Sequence, residues 1–167
     1  VLWIGRSCWP YPRALVRTPG LLRASVFVDP RTADERLWAI DVASRCPGVA
    51  AVIADGAGLS MADTRRLQLA AAAGRTAALV ARPARERGEI SAARTRWFVE
   101  PAADGARTHA WTVELLRCKG RQPDGARRWT VRHDHVTQYH TDHPPLDDWT
   151  PSAEPVAAHV LDGPRLA

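Results

Sequence analysis

The residue best placed to do chemistry is Asp55, which ends a continuous apolar stretch that begins at Val49. A run that is apolar without alternation is typical of a parallel strand covered on both faces, in the centre of a sheet. Open α/β sheets bind ligands at the carboxyl ends of such strands, where an aspartate can hold Mg²⁺ through water. Asp55 is therefore a candidate for the metal side of a nucleotide site. The alternative is that Asp55 and Gly56 form a polar turn that closes a buried strand.

A nucleotide site needs more than one carboxylate, and the sequence lacks the other parts. It contains no Gly-x-x-x-x-Gly-Lys-Ser/Thr motif, so the loop and the lysine that hold the phosphates are both missing. We therefore predict no catalytic residue and no cofactor, and Asp55 would be a vestigial nucleotide or magnesium ligand. We would expect ATP and Mg²⁺ as cofactors only if a phosphate-binding loop precedes Val1. In that case the chain would be N-terminally incomplete.

Basic residues are concentrated in the first 132 residues, because residues 133–167 contain only one of the 23 basic residues but six of the 18 acidic ones. Clusters of arginine and lysine suit sequence-independent contacts with the phosphates of nucleic acid. The alternative to a nucleic-acid contact is a solvated basic surface. A high-GC genome produces such a surface through its arginine-rich composition. The candidates for contact with single-stranded DNA lie in two runs: Arg82, Arg85, Arg87, Arg94 and Arg96, then Arg117, Lys119, Arg121, Arg127, Arg128 and Arg132.

A metal site is not expected. The one cluster of metal-like ligands consists of His133, Asp134, His135, His140, Asp142 and His143. This segment has no helical spacing and contains no cysteine, so we interpret it as a histidine-rich linker and assign no metal. The three cysteines, Cys8, Cys46 and Cys118, are odd in number and far apart, which indicates neither a disulfide framework nor a zinc site.

Strands and helices alternate around Asp55. Apolar stretches predict strands at residues 1–5, 24–28, 49–55 and 76–81. A capping box from Thr32 to Glu35 predicts a helix that ends near Cys46, and Ser60 predicts the start of another that runs to about Ala73, with Gly74 past its end. Helices between short strands imply crossover connections, so we expect an α/β fold with a parallel sheet flanked by helices.

Three later strands share a pattern in which tryptophan precedes valine by two residues. They cover residues 96–100, 110–116 and 128–132, with hairpin-like connections. We expect antiparallel strands added to one side of the parallel sheet, in a single domain over residues 1–143. The tryptophans are expected to pack in its core, and a base-stacking platform is the alternative. Residues 144–167 are rich in proline and acidic residues, which predicts a poorly ordered tail.

Two stretches are the most distinctive of the chain: Ser-Ala-Ala-Arg-Thr-Arg-Trp at residues 91–97 and Trp-Thr-Val-Glu-Leu-Leu-Arg-Cys-Lys-Gly at residues 111–120. With the strands and helices that precede them, they resemble the ImuA family, RecA-related accessory proteins of damage-induced translesion DNA synthesis. The resemblance covers roughly residues 1–132. It implies a RecA-like core and partnership with an inactive Y-family polymerase relative, a replicative-type error-prone polymerase and RecA.

The chain departs from an active recombinase at two positions of this resemblance. Where a RecA-type ATPase carries the glutamate that activates water, this chain has Gly5-Arg6-Ser7, and a cation cannot serve as a general base. Where a recombinase has the glutamine that senses the γ-phosphate, this chain has Arg82. The loop between Arg82 and Trp97 corresponds to a DNA-contacting loop of recombinases.

We therefore predict a non-catalytic RecA-like scaffold of the SOS response, active in DNA repair and mutagenesis. The alternatives are a RecA-like ATPase whose phosphate loop lies upstream of Val1 and a stand-alone regulator of RecA filaments. No apolar run reaches the roughly 18 to 20 residues of a membrane-spanning helix. The first residues also lack the layout of a signal peptide, so we expect a cytoplasmic protein without a membrane partner.

Overall fold

The computed structural model describes residues 1–12, 15, 18, 20–102, 109–120, 128–133, 139–141 and 160–161. The chain divides into two compact units: Val1–Arg94 together with Val156–Ala167, and Thr95–Pro155. The boundary falls immediately before the first of the three strands in which tryptophan precedes valine by two residues. This division differs from the single domain expected over residues 1–143.

Strands and helices alternate in the first unit, and strands alone are described in the second. In chain order the elements are β1 (Leu2–Ile4), a 3-10 turn (Arg6–Cys8), β2 (Val26–Val28), α1 (Ala33–Arg45), β3 (Ala51–Asp55), α2 (Met61–Gly74), β4 (Ala77–Ala81), a second 3-10 turn (Ala84–Glu86), β5 (Thr95–Pro101), β6 (His109–Cys118), β7 (Arg128–His133), β8 (Tyr139–Thr141) and β9 (Val160–Leu161). The prediction of an α/β fold is confirmed.

The sheet of the first unit has the strand order β2-β1-β3-β4-β9. Strands β1 to β4 are parallel, with Leu2 in register with Val26 on one side and Val52 on the other. Strand β9 pairs with the outer edge of β4 in the antiparallel sense. The strand that ends at Asp55 therefore has neighbours on both sides, as its continuous apolar sequence predicts.

Both predicted helix starts are confirmed by hydrogen bonds. The Thr32 hydroxyl accepts from the amide of Glu35 at 3.1 Å, although the Glu35 carboxylate accepts from the amide of Arg31 rather than from that of Thr32. Ser60 and Asp63 form a complete capping box, in which each side chain accepts from the other residue's amide. These contacts satisfy amides that the first turn of a helix leaves without a backbone partner.

The end of α2 differs from the prediction at Gly74. This glycine is the last helical residue, and Arg75 follows in the left-handed conformation with a φ of 58°. A Cβ at position 74 would overlap the carbonyl oxygen of Ser44 and lie 2.7 Å from the carbonyl carbon of Arg45. Glycine is therefore required here because the ends of α1 and α2 approach closely, and not because of its own φ.

The helices pack on the sheet through small and branched apolar side chains. Ile4, Ile40, Val52 and Leu67 are fully buried in one cluster, with alanines between them. Each such side chain contributes about 1.5–3 kcal/mol when it leaves water. This packing positions the loops that follow the strands.

Asp41 joins the two helices across the partly buried side of their contact. Its carboxylate accepts from Arg45 on its own helix at 3.1 Å and from Arg66 on α2 at 3.2 Å. Burial raises the pKa of Asp41, but the hydrogen bonds and charges of the two arginines outweigh it, so the net pKa lies below its ordinary value. The aspartate is 6 % exposed and is stabilised as an anion by these two cations.

The second unit corrects the prediction that the antiparallel strands extend the parallel sheet. Strands β5 to β8 form a separate sheet in sequential order, and each neighbouring pair is antiparallel. The predicted hairpin pairing is thus found, but in a sheet of its own. The outer edge of β4 pairs with β9.

Two features of the chain ends and helices complete the fold. Val160 and Leu161 form β9, so this part of the expected poorly ordered tail is paired, and the remainder of residues 144–167 lies outside the described residues. Within the described residues, no helix is long and apolar enough to cross a bilayer.

Candidate functional site

The order of strands reverses at β1 in the first unit. The chain passes from β1 to β2 on one side and then crosses to β3 and β4 on the other. Open α/β sheets bind ligands in the crevice that such a reversal leaves at the carboxyl ends of the strands. The residues that follow β1 and β3 at this edge are Gly5, Arg6 and Gly56, next to Asp55 at the end of β3.

Both carboxylate oxygens of Asp55 already have donors. One accepts from the amide of Ala57 at 2.9 Å, which closes the turn after β3, and the other accepts from the guanidinium of Arg36 at 3.3 Å. The side chains of Arg36 and Asp55 are 19 % and 18 % exposed. Arg36 also donates to the carbonyl of Ala57 at 2.6 Å. This arrangement agrees with the alternative interpretation, in which Asp55 and Gly56 form a polar turn that closes β3. Arg36 adds a cation to that turn.

Gly5 brings β1 close to this pair. Its φ is 90°, and a Cβ at this position would lie 2.8 Å from the Cβ of Asp55. A side chain here would therefore both strain the backbone and push Asp55 away. Arg6, the next residue, points its guanidinium to Asp29 at 2.7 Å, in an exposed ion pair. The residues after β1 thus supply a cation and no carboxylate.

Cys8 lies beside Asp55 without the properties of a nucleophile. Its sulfur lies 3.0 Å from the carbonyl oxygen of Gly5 and 3.2 Å from that of Ile4, to which the thiol can donate. Burial raises the pKa of Cys8, and the negative charge of Asp55 raises it further. Because the thiolate is the reactive form, Cys8 is a half-buried structural thiol.

Arg82 is largely buried, although the sequence grouped it with the other basic candidates for contact with DNA. The Arg82 side chain is 8 % exposed and donates to the Glu86 carboxylate at 2.8 Å. Glu86 also accepts from the amide of Gly58, in the loop after β3. Burial raises the pKa of Glu86, but the hydrogen bonds from Arg82 and Gly58 and the nearby positive charges outweigh it, so the net pKa is lowered. Glu86 therefore joins the loops that follow β3 and β4, and Arg82 neutralises its charge.

The other basic candidates are distributed over both units. Arg85, Arg87 and Arg94 are exposed and belong to the first unit, in the segment that follows β4. Arg96 and Arg117 are register partners on β5 and β6 of the second unit, and Lys119 is exposed just after β6. Arg121 and Arg127 lie outside the described residues. The two runs predicted from the sequence therefore do not follow the unit boundary.

The histidine-rich segment is described only in part. His133 ends β7 and His140 lies in β8, where its register partner is Arg132. The remaining members of the predicted cluster, Asp134, His135, Asp142 and His143, lie outside the described residues. Among the residues that the structure describes, no group of three or more His, Cys, Asp or Glu side chains could hold a metal ion.

Arg36 is the residue at this edge that the sequence did not indicate. It lies 19 positions before Asp55, in the first turn of α1, and its contact depends on how α1 packs against β3. The fold and its edge define a mixed α/β protein with a parallel sheet. No protein-family model matches the chain, and no curated protein sequence matches it. The resemblance to the ImuA family stays a prediction.

Proposed function

We propose that this chain is a non-catalytic accessory protein of damage-induced translesion DNA synthesis, with a RecA-like core and contacts to single-stranded DNA. The role in translesion DNA synthesis rests on the resemblance in sequence, and the observation that carries its non-catalytic part is the pair of Arg36 and Asp55. Arg36 gives the carboxylate the positive charge that Mg²⁺ would otherwise supply, at the edge where an α/β nucleotide site would lie. The sequence also lacks a phosphate loop with its lysine.

The DNA contact is supported by exposed cations on the two units. Arg85 and Arg87 are exposed in the segment after β4, and Lys119 and Arg117 are exposed at the end of β6. Side chains of this kind contact phosphates without regard to sequence, and their affinity falls steeply with salt. Arg82 is left out of this set because its guanidinium is buried against Glu86.

The expected partners follow from the resemblance in sequence to the ImuA family. We expect an inactive Y-family polymerase relative, a replicative-type error-prone polymerase and RecA to bind this chain. The test is analytical ultracentrifugation of the purified chain with each purified partner, with and without ATP. The expected result is a complex with the polymerase relative that forms equally well without nucleotide. Failure to bind any of the three proteins would overturn the proposal.

Two other outcomes separate the alternatives. A chain that binds RecA alone and changes the length of its filaments would be a regulator of RecA. Phosphate release from ATP that depends on Asp55 would identify an ATPase. Each of these results contradicts the proposed scaffold, because a scaffold needs neither turnover nor an exclusive contact with RecA.

A further inference from the structure

Strand β2 lies at one edge of the first unit's sheet, and among the described residues it pairs with β1 alone. The amide of Val26 donates to the carbonyl of Val1, and the carbonyl of Val28 accepts from the amide of Gly5. Both valines therefore direct backbone groups toward β1. Because these groups alternate in direction along a strand, the amide and the carbonyl of Phe27 point to the outer edge. This edge offers a donor and an acceptor to another strand.

The side chains at this edge are apolar on both sides of the sheet. Val26 is 55 % exposed on one side, and Phe27 is 38 % exposed on the other. Phe27 stacks on Trp3 with ring centroids 6.3 Å apart, and Trp9 packs against it in a T-shaped arrangement at 5.5 Å. Exposed edge strands normally carry a charge or a proline that prevents pairing. Strand β2 contains neither, so its edge is open to pairing.

The sequence of β2 fits a second copy of the same strand. Val-Phe-Val reads the same in both directions, so an antiparallel pair centred on Phe27 places Val26 opposite Val28 of the second copy. Phe27 then lies opposite Phe27 of the second copy. Because the amide and the carbonyl of Phe27 point outward, these two residues can exchange both backbone hydrogen bonds, as alternate residue pairs do in an antiparallel ladder.

The charges at the two ends of β2 favour the antiparallel direction. Arg23 lies before the strand and Asp29 follows it, and both residues are exposed. Asp29 also pairs with Arg6, yet its side chain remains 42 % exposed. Antiparallel copies bring each Asp29 to the end where Arg23 of the other copy lies. Parallel copies would instead bring like charges together.

We infer that two copies of this chain form a symmetric dimer, in which their β2 strands pair in the antiparallel direction at their open edges. A two-fold contact of this kind uses the same surface on both copies, which a self-complementary strand provides. The strand has only three residues, so the interface is small and the dimer forms in a concentration-dependent way. The inference does not depend on the proposed contact with DNA.

Sedimentation velocity of the purified chain over a concentration range of about a thousandfold tests the dimer. The average mass should rise from that of one chain toward that of two. Val26→Lys places a charge on the open edge and should keep the chain monomeric at every concentration. Val42→Lys makes the same change on α1, at a side chain that is 47 % exposed, and should dimerise as the wild type does. A monomeric wild type, or a dimer that Val26→Lys retains, would overturn the inference.

A mixture of two charge variants tests the antiparallel direction without any change in β2 itself. Arg23→Glu leaves both ends of the strand acidic, and Asp29→Arg leaves both ends basic. Each variant alone should dimerise about fivefold more weakly at low salt, because pairs of opposite charge become pairs of like charge. An equimolar mixture should recover the wild-type affinity, because each acidic end then meets a basic end. A mixture as weak as either variant alone would overturn the antiparallel pairing.

The other occupant that an open edge accepts is a strand of a different protein. In that case the chain would stay monomeric at all concentrations. Val26→Lys would then weaken the complex with the polymerase relative, and Val42→Lys would not. This result would overturn the dimer and assign the edge of β2 to that protein.

Discussion

The guanidinium of Arg36 donates to the carboxylate of Asp55 across 3.3 Å, at the edge of the sheet where the strand order reverses. A second nitrogen of the same guanidinium donates to the carbonyl of Ala57 at 2.6 Å. Arg36 therefore holds both the aspartate and the turn that follows it. A divalent cation approaching Asp55 would meet this positive charge at close range, in a half-buried setting where repulsion is poorly screened.

The first prediction is that the chain does not hydrolyse ATP. Phosphoryl transfer needs a held γ-phosphate, a metal bridge and an oriented water, and Asp55 alone could supply only part of the metal site. Purified protein should release no phosphate from ATP and Mg²⁺ above the uncatalysed rate, with or without single-stranded DNA. Asp55→Ala should change nothing in the same assay. Turnover that this substitution abolishes would show that nucleotide is held by other groups.

The second prediction concerns Arg85, Arg87 and Arg94, the exposed basic residues of the first unit. Replacing all three by Ala should weaken binding to single-stranded DNA. It should also reduce the slope of log affinity against log salt by roughly 2, because binding releases fewer counterions when phosphate contacts are lost. Fluorescence anisotropy over a salt series measures both quantities. Wild-type affinity that is equal at low and high salt would contradict the phosphate contact.

The matched control for this triple variant is the replacement of Arg23, Arg31 and Arg65 by Ala. These three arginines are also exposed on the first unit, so both variants lose the same net charge. A contact made by Arg85, Arg87 and Arg94 predicts a larger loss of affinity than in the control. Equal losses would mean that the overall charge of the chain attracts DNA and that these positions have no special role.

The third prediction separates Arg82 from its exposed neighbour Arg85. Arg82→Ala removes the cation that lies against Glu86 and leaves that carboxylate with the amide of Gly58. The free energy of unfolding should fall by about 1–3 kcal/mol, because a largely buried anion loses its charged partner. Arg85→Ala should change it by less than about 0.5 kcal/mol. Urea titration of both variants measures the difference, and equal stabilities would show that the Arg82 pair is dispensable.

The sequence predicted the features of this chain that depend on neighbouring residues. Continuous apolar stretches identified the strands, and the polar residues Thr32 and Ser60 marked the helix starts, because both patterns reflect local geometry. The burial of Arg82 was not predictable in this way. Arg82 and Arg85 occur in the same basic run, and only the fold brings one of them beneath Gly56 and against Glu86.

Contacts distant along the chain were also beyond the sequence patterns. Alternation in residues 96–100 and 110–116 predicted antiparallel strands, but an alternating pattern does not specify which sheet a strand joins. The position of Arg36 beside Asp55 depends on the packing of α1 on β3 in the same way. Asp55 itself was identified because the carboxyl end of a central strand can be recognised from one stretch of sequence.

The fourth prediction is an acid dependence of stability that arises from Asp41. Its folded pKa is lowered, so the unfolded chain binds the proton more readily. The stabilising contribution is present above about pH 4, the ordinary aspartate range, and is lost as pH falls toward the lowered pKa. Asp41→Asn should cost about 1–2 kcal/mol at pH 7, below the value for a fully buried pair because Arg45 and Arg66 are half-exposed.

Urea titrations between pH 7 and pH 3 test this acid dependence. The difference in stability between the wild type and Asp41→Asn should shrink as the pH is lowered through this range. Glu89→Gln, at an exposed position, serves as the control and should follow the wild type. A difference that stays constant with pH would show that Asp41 contributes by its shape and not by its charge.

The fifth prediction concerns Arg75, the one residue other than glycine with a positive φ among those that the structure describes. The left-handed backbone costs such a residue about 1–2 kcal/mol, and glycine avoids this cost but gains freedom in the unfolded chain. Arg75→Gly should therefore raise the free energy of unfolding by about 0.5–1 kcal/mol. Arg75→Ala, which keeps the strained backbone, should leave stability nearly unchanged. Equal stability of the two variants would contradict this backbone cost, because only glycine removes it. The neighbouring change Gly74→Ala should act in the opposite direction, with a loss of about 1–3 kcal/mol, because the added Cβ would overlap the Ser44 carbonyl oxygen.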